Sequence, residues 1–115
     1  MGKVLEHQKE FDSKIKELIS KYDGISYISS AKSKYLAIRK DDRVFLTIYF
    51  RVSEIRIYID KNDKYLDLYS ELMSEGKAYQ HDTADENNAK DKFAFFVDEK
   101  NEMEVVKRFI ERADE

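Results

Sequence analysis

Residues Tyr35 to Asp60 read YLAIRKDDRVFLTIYFRVSEIRIYID, and this stretch decides the fold. Val44, Leu46, Ile48 and Phe50 alternate with Phe45, Thr47, Tyr49 and Arg51. Further on, Ile55, Ile57 and Ile59 alternate with Glu54, Arg56, Tyr58 and Asp60. Successive side chains of a strand point to opposite faces, so a period of two predicts strands with one apolar and one mixed face. The β-branched and aromatic content agrees. Lys40 to Arg43 carries Asp41 and Asp42 and suits a tight turn, and Val52-Ser53 makes a second short connection.

Matching the apolar faces predicts a register. Phe50 opposes Ile55, Ile48 opposes Ile57, and Leu46 opposes Ile59. The other face then sets Arg51 beside Glu54, Tyr49 beside Arg56 and Thr47 beside Tyr58. A slip of one residue would turn every isoleucine outward, so the register is strongly specified. In the strand before, Leu36 and Ile38 join the apolar face, while Tyr35, Ala37 and Arg39 join the mixed one.

Working outward, residues 3–22 predict an amphipathic helix with Val4, Phe11, Ile15, Leu18, Ile19 and Tyr22 on one stripe. Gly24 is suited to end it in a left-handed conformation. Residues 24–30 suggest a short edge strand with Ile25 and Tyr27 on one side. A second helix is expected over Asp63 to Glu75, capped by Asp63, with Leu66, Tyr69 and Met73 facing inward beside Tyr65 and Leu72. Gly76 is its expected stop, and residues 77–91 read as a polar loop. Lys92 to Val97 is apolar on both faces and so reads as an interior strand. Asn101 and Glu104 have the spacing of a capping box for a last helix, whose stripe is Met103, Val106, Phe109, Ile110 and Ala113. The expectation is one α+β domain over residues 1–115. It has a mainly antiparallel sheet of about four to five strands, with helices at the N-terminus, middle and C-terminus packed on the apolar face.

Composition removes several chemistries. The 115 residues contain no Cys, which excludes disulfides and thiolate catalysis. His7 and His81 are the only imidazoles, too few for the usual zinc ligand sets. The three glycines, at positions 2, 24 and 76, are isolated and form no phosphate loop. No serine stands in a nucleophile context. No catalytic residue, cofactor or metal is therefore expected. With 39% charged residues, no membrane-length apolar run and no apolar leader after MGKVLE, the chain is expected to be cytoplasmic.

The net charge of -3 hides an asymmetry. Residues 31–64 carry nine Lys and Arg against five Asp and Glu, whereas residues 65–115 carry seven against fourteen. An acidic half of this size disfavours non-specific nucleic-acid binding.

The order of elements resembles a small bacterial and phage domain of unknown function, found in predicted transport proteins and in restriction-nuclease-associated proteins. The residues carrying the resemblance are Ser33 to Ile38, Phe45 to Ile48, Glu54 to Ile59 and the ending Glu102 to Ile110. The chain departs from that domain in Gln80 to Asp91, which holds no glycine where the domain tends to be glycine-rich. The resemblance implies no catalytic residue.

Three candidate sites remain. Asp98-Glu99-Lys100 resembles the acid-x-Lys element of metal-dependent nucleases, with Asp60 as the carboxylate to share a metal, but such triplets recur by chance in so charged a chain. His81 and Asp82 with Asp85 and Glu86 make an acidic cluster that reads as solvated loop. The mixed sheet face offers Tyr35, Arg39, Tyr49, Arg51, Arg56 and Tyr58, residue types favoured at interfaces and for stacking on bases. The plainer alternatives for that face are ordinary cross-strand pairs in solvent, or a helix lying over it. The reading that follows is a non-catalytic, protein-binding module whose partner handles nucleic acid, including a phage-type inhibitor of a defence nuclease. The alternative is a weak metal-dependent nuclease using Asp60, Asp98 and Lys100.

Overall fold

The computed structural model describes residues 2–80 and 92–115, with side chains from Leu5 onward. The chain runs α1 (Gly2–Ile19), β1 (Ile25–Ser30), β2 (Tyr35–Lys40), β3 (Arg43–Phe50), β4 (Glu54–Asp60), α2 (Asp63–Ser74) and β5 (Lys92–Asp98). A single 3-10 turn (Glu99–Asn101) then leads into α3 (Glu102–Asp114). The strands form one five-stranded sheet in chain order, every neighbouring pair antiparallel. This is the expected α+β architecture.

The register is the one the apolar alternation demands. Phe50 pairs with Ile55, Ile48 with Ile57 and Leu46 with Ile59. Leu36, Ile38, Leu46, Ile48, Ile55, Ile57 and Ile59 are all 0% exposed. All three helices pack on that face: Phe11 and Ile15 from α1, Leu68 and Leu72 from α2, and Val106, Phe109 and Ile110 from α3 share one cluster with the strand residues. Burying a side chain of this size contributes roughly 1.5–3 kcal/mol, so the ladder is the main stabilising element of the domain.

Two strand expectations are corrected. Val44 was expected inside and Phe45 outside. The β2–β3 register shifts between Ile38 and Arg39, so Leu46 pairs with Ile38, Val44 pairs with Arg39, and Phe45 is the extra residue of a bulge. Phe45 is thereby turned to the core, where its ring stacks on Tyr65 of α2 at 5.7 Å, and Val44 is left half-buried. β5, expected in the interior, is instead the last strand of the sheet. Its second apolar side, Ala94 and Phe96, is nonetheless buried, because Tyr79 leaves α2 and bridges to Phe96, with its ring stacked on Phe96 at 6.1 Å. Lys77 to Gln80 thus run along the sheet edge rather than forming a free loop, and residues 81–91 lie outside the described residues.

The start of α2 differs by one position from the expected cap, and α1, expected to reach Tyr22, ends at Ile19. Asn62, not Asp63, caps α2 by accepting from the Lys64 N–H at 3.0 Å. That start turns Tyr65, Leu68, Tyr69 and Leu72 inward and leaves Met73 exposed. Asn101 makes no side-chain cap to α3; the 3-10 turn supplies the entry instead. The expected stripe residue Val4 lies outside the described side chains.

Replacement of Ile57 by Ala is expected to cost about 2–5 kcal/mol in denaturant melts, as a buried large-to-small change. The bulge adds a sharper contrast: Phe45→Ala should cost about 3–5 kcal/mol, and Val44→Ala about 1 kcal/mol or less. Equal losses at the two positions would contradict the bulge.

Candidate functional site: the outer sheet face

With every described helix on the isoleucine face, the opposite face of the sheet carries the mixed residues. Antiparallel pairing lines them up in rows. Tyr35 pairs with Tyr49, Tyr49 with Arg56 and Arg56 with Phe96, so one row crosses four strands. The Tyr35 and Tyr49 rings meet edge-on at 5.9 Å, and those of Tyr49 and Tyr58 at 5.5 Å. Arg56 donates to the Tyr58 hydroxyl at 3.3 Å, and its guanidinium lies 5.0 Å from the centre of the Phe96 ring. Arg51 approaches the same ring at 5.6 Å. Each such contact over an aromatic face is worth roughly 0.5–1 kcal/mol at an exposed site. Arg39 stands at the far end of the face and donates to Ser26 at 3.3 Å.

The six residues expected from the sequence therefore share one face. Tyr49 and Arg51 are exposed, and the other four are half-buried against each other. Arg51 has Glu54 at 3.8 Å, whereas Arg39 and Arg56 have no ion-pair partner among the described residues. Along one edge the Tyr79 hydroxyl donates to Asp98 at 3.0 Å and lies 3.3 Å from Glu54. Burial, and then the Asp98 carboxylate, push the Tyr79 phenol well up from its usual value. Sequence reasoning missed Phe96 and Tyr79 as members of the face, because a strand that is apolar on both sides looks like an interior strand.

The nuclease-like constellation does not assemble. Asp60 pairs across the sheet with Lys92, and Asp98 with Glu54, so the two carboxylates lie at opposite ends of the β4–β5 pair. Asp60 is engaged by Lys92 and by Arg43, the latter at 3.0 Å. The carboxylate that the sheet sets beside Asp98 is Glu54, not Asp60. Asp98 and Lys100 line a cleft of about 660 Å³ between α1 and the start of α3. Among the described residues no group of three or more His, Asp or Glu is placed to hold a metal. The cluster of His81, Asp82, Asp85 and Glu86 lies outside the described residues.

At the base of that cleft is a buried ion pair that sequence reasoning did not find. His7 from α1 sets Nδ1 3.0 Å from the Arg51 carbonyl and Nε2 2.7 Å from the Glu102 carboxylate of α3. Its partner is 95 positions away, and no local spacing announces a contact at that range. Burial opposes charge on the ring, but the Arg51 carbonyl and the Glu102 carboxylate outweigh it and raise the His7 pKa above 6.5. Burial also pushes Glu102 up, against the pull of His7. Both directions mean that the folded pair holds its proton to higher pH than the separate groups would. We place it on the imidazole, because both ring nitrogens face acceptors and Glu99 adds a second carboxylate at 4.0 Å. With both nitrogens committed, His7 has no lone pair for base chemistry.

The chain matches no family model, no curated protein and no solved structure. The resemblance to the small bacterial and phage domain therefore rests on its motif residues alone. Among the described residues no helix is long and apolar enough to cross a membrane.

The His7 pair makes a testable statement about pH. Its folded pKa is raised, so its contribution to stability is full below the ordinary histidine value of 6.5 and is lost as pH rises through the folded value. The denaturant midpoint should fall as pH rises from about 6.5 through the folded value, and His7→Gln should flatten that fall. A midpoint that rises over this range in the parent and not in the variant would show the opposite linkage.

Proposed function

We propose that the protein is a non-catalytic binding module that engages a protein partner through the outer sheet face. The observation that supports this most directly is the Tyr35–Tyr49–Arg56–Phe96 row, laid across four strands with no described helix over it. Tyr and Arg bring large contact area with a polar handle, and they dominate the energetics of protein interfaces. Here their rings and guanidinium groups are already held against one another, so little side-chain freedom is left to lose on association. Arg39 and Arg56, without carboxylate partners among the described residues, favour an acidic patch on the partner. The resemblance to a restriction-nuclease-associated domain supports a partner that handles nucleic acid. The acidic half, residues 65–115, with fourteen Asp and Glu against seven Lys and Arg, suits an inhibitor that imitates nucleic acid toward a defence nuclease.

Retention of a specific partner from the native host should be lost with Arg56→Ala and with Tyr49→Ala, each weakening binding by about 2 kcal/mol or more. Their melting temperatures should stay close to that of the parent, since neither residue belongs to the core. Titration with labelled single strands at low and high salt separates the nucleic-acid alternative, because phosphate contacts give affinity that falls steeply with salt. Tight, salt-sensitive binding of single strands abolished by the same substitutions would replace the protein partner with nucleic acid.

A further inference from the structure

The two edges of the sheet are treated differently. Beyond β5, Tyr79 exchanges both backbone hydrogen bonds with Phe96, at 3.0 and 2.8 Å, and the Gln80 side chain donates to the Ala94 carbonyl at 2.9 Å. That edge is closed over its middle. Beyond β1 no described segment pairs.

The backbone groups that β1 turns outward follow from the ladder. Asp41 donates to the Gly24 carbonyl, which makes Gly24 and Asp41 a hydrogen-bonded pair. Such pairs alternate along an antiparallel ladder. Ser26, Ile28 and Ser30 therefore bond to Arg39, Ala37 and Tyr35 of β2, and Ile25, Tyr27 and Ser29 aim their N–H and C=O groups away from the sheet. Proteins blunt such an edge with charged residues, proline or a bulge. β1 has none of these: ISYISS carries no charge in a chain that is 39% charged, and its pairing with β2 runs without a register shift. Its end is also held in place, because the Gln8 amide donates to the Ser29 hydroxyl and the Ser30 carbonyl. Ile28, on the outer face opposite Ala37, is 44% exposed.

We propose that β1 is a pairing edge for a second copy of this chain, antiparallel about a two-fold axis perpendicular to the sheet. A strand paired with its own copy meets its own side chains, so any charge along it would oppose a like charge or lie diagonal to one. Among the described strands β1 is the only one with no charged residue, and hence the only one that pairs with itself at no electrostatic cost. The two Ile28 side chains come to lie on the same face and cover each other. The axis keeps both sets of helices on one side and both outer faces on the other. The dimer therefore presents two Tyr and Arg rows on one continuous sheet. This inference concerns the edge and stands whether or not the outer face binds a partner.

Sedimentation of the full chain from micromolar to sub-millimolar concentration tests it. A concentration-dependent dimer is expected. Ile28→Lys should weaken it at least about tenfold by setting like charges together at the seam. Ser29→Pro should do the same by removing a donor that the β1–β2 ladder does not use. Met73→Lys, an exposed apolar position on α2, should leave the dimer unchanged. Thermal melts of dilute Ile28→Lys confirm that the monomer still folds. A chain that stays monomeric throughout overturns the proposal. So does a dimer that survives both edge substitutions, or one that Met73→Lys breaks equally.

Discussion

Everything else in this domain depends on the register between β3 and β4. Ile48 against Ile57, with Phe50–Ile55 and Leu46–Ile59 on either side, makes a ladder with no solvent exposure except 5% at Phe50. Side chains alternate strictly along a strand, so this ladder leaves no intermediate arrangement: a shift of one residue exposes all of it. The apolar face must then be covered, and α1, α2 and α3 each supply a stripe that covers part of it. The same alternation sends Thr47, Tyr49, Arg56 and Tyr58 to the other side. The functional face is therefore the complement of the core, produced by the same constraint.

The polar groups inside the domain sit where elements converge. The His7–Glu102 pair joins α1 to the first turn of α3, and the second ring nitrogen of His7 holds the carbonyl of Arg51 at the end of β3. Arg51 in turn reaches across to Phe96 on the outer face. A buried pair of this kind is weak evidence for stability in itself, but losing one partner leaves an uncompensated charge. The pair thus ties the position of the outer-face arginine to the packing of two helices. Gln8, the next residue of α1, likewise holds the last residues of β1.

The strands, the β3–β4 register and most of the division of faces are legible in the sequence because period-two alternation is a local signal. So is the existence of the three helices, whose stripes recur every three or four residues. What escapes is whatever needs a partner distant in sequence. Phe45 turns inward because Tyr65 offers it a ring to stack on, and the pattern around Phe45 carries no trace of that. Ala94 and Phe96 are covered by Tyr79 and two arginines, so β5 mimics an interior strand while standing at the edge. Asp60 was the carboxylate expected beside Asp98, and the antiparallel pairing of β4 with β5 sets Glu54 there instead. Asn62 takes the cap from Asp63 by a difference of one residue, which local propensity does not resolve. The six outer-face residues were readable, since they follow from alternation alone; whether a helix covers them depends on the sidedness of the whole sheet.

Sidedness is the central claim, and the tyrosines report on it directly. Tyr49 lies on the open face and is 41% exposed, while Tyr65 and Tyr69, on the side of α2 that faces the sheet, are 5% and 7% exposed. Nitration of the native protein with tetranitromethane, mapped by peptide mass spectrometry over time, measures both sides in one experiment. Tyr49 should be modified well before Tyr65 and Tyr69. Modification of Tyr65 and Tyr69 as early as Tyr49, or protection of Tyr49 to the same degree as theirs, would contradict a sheet with one sealed and one open face.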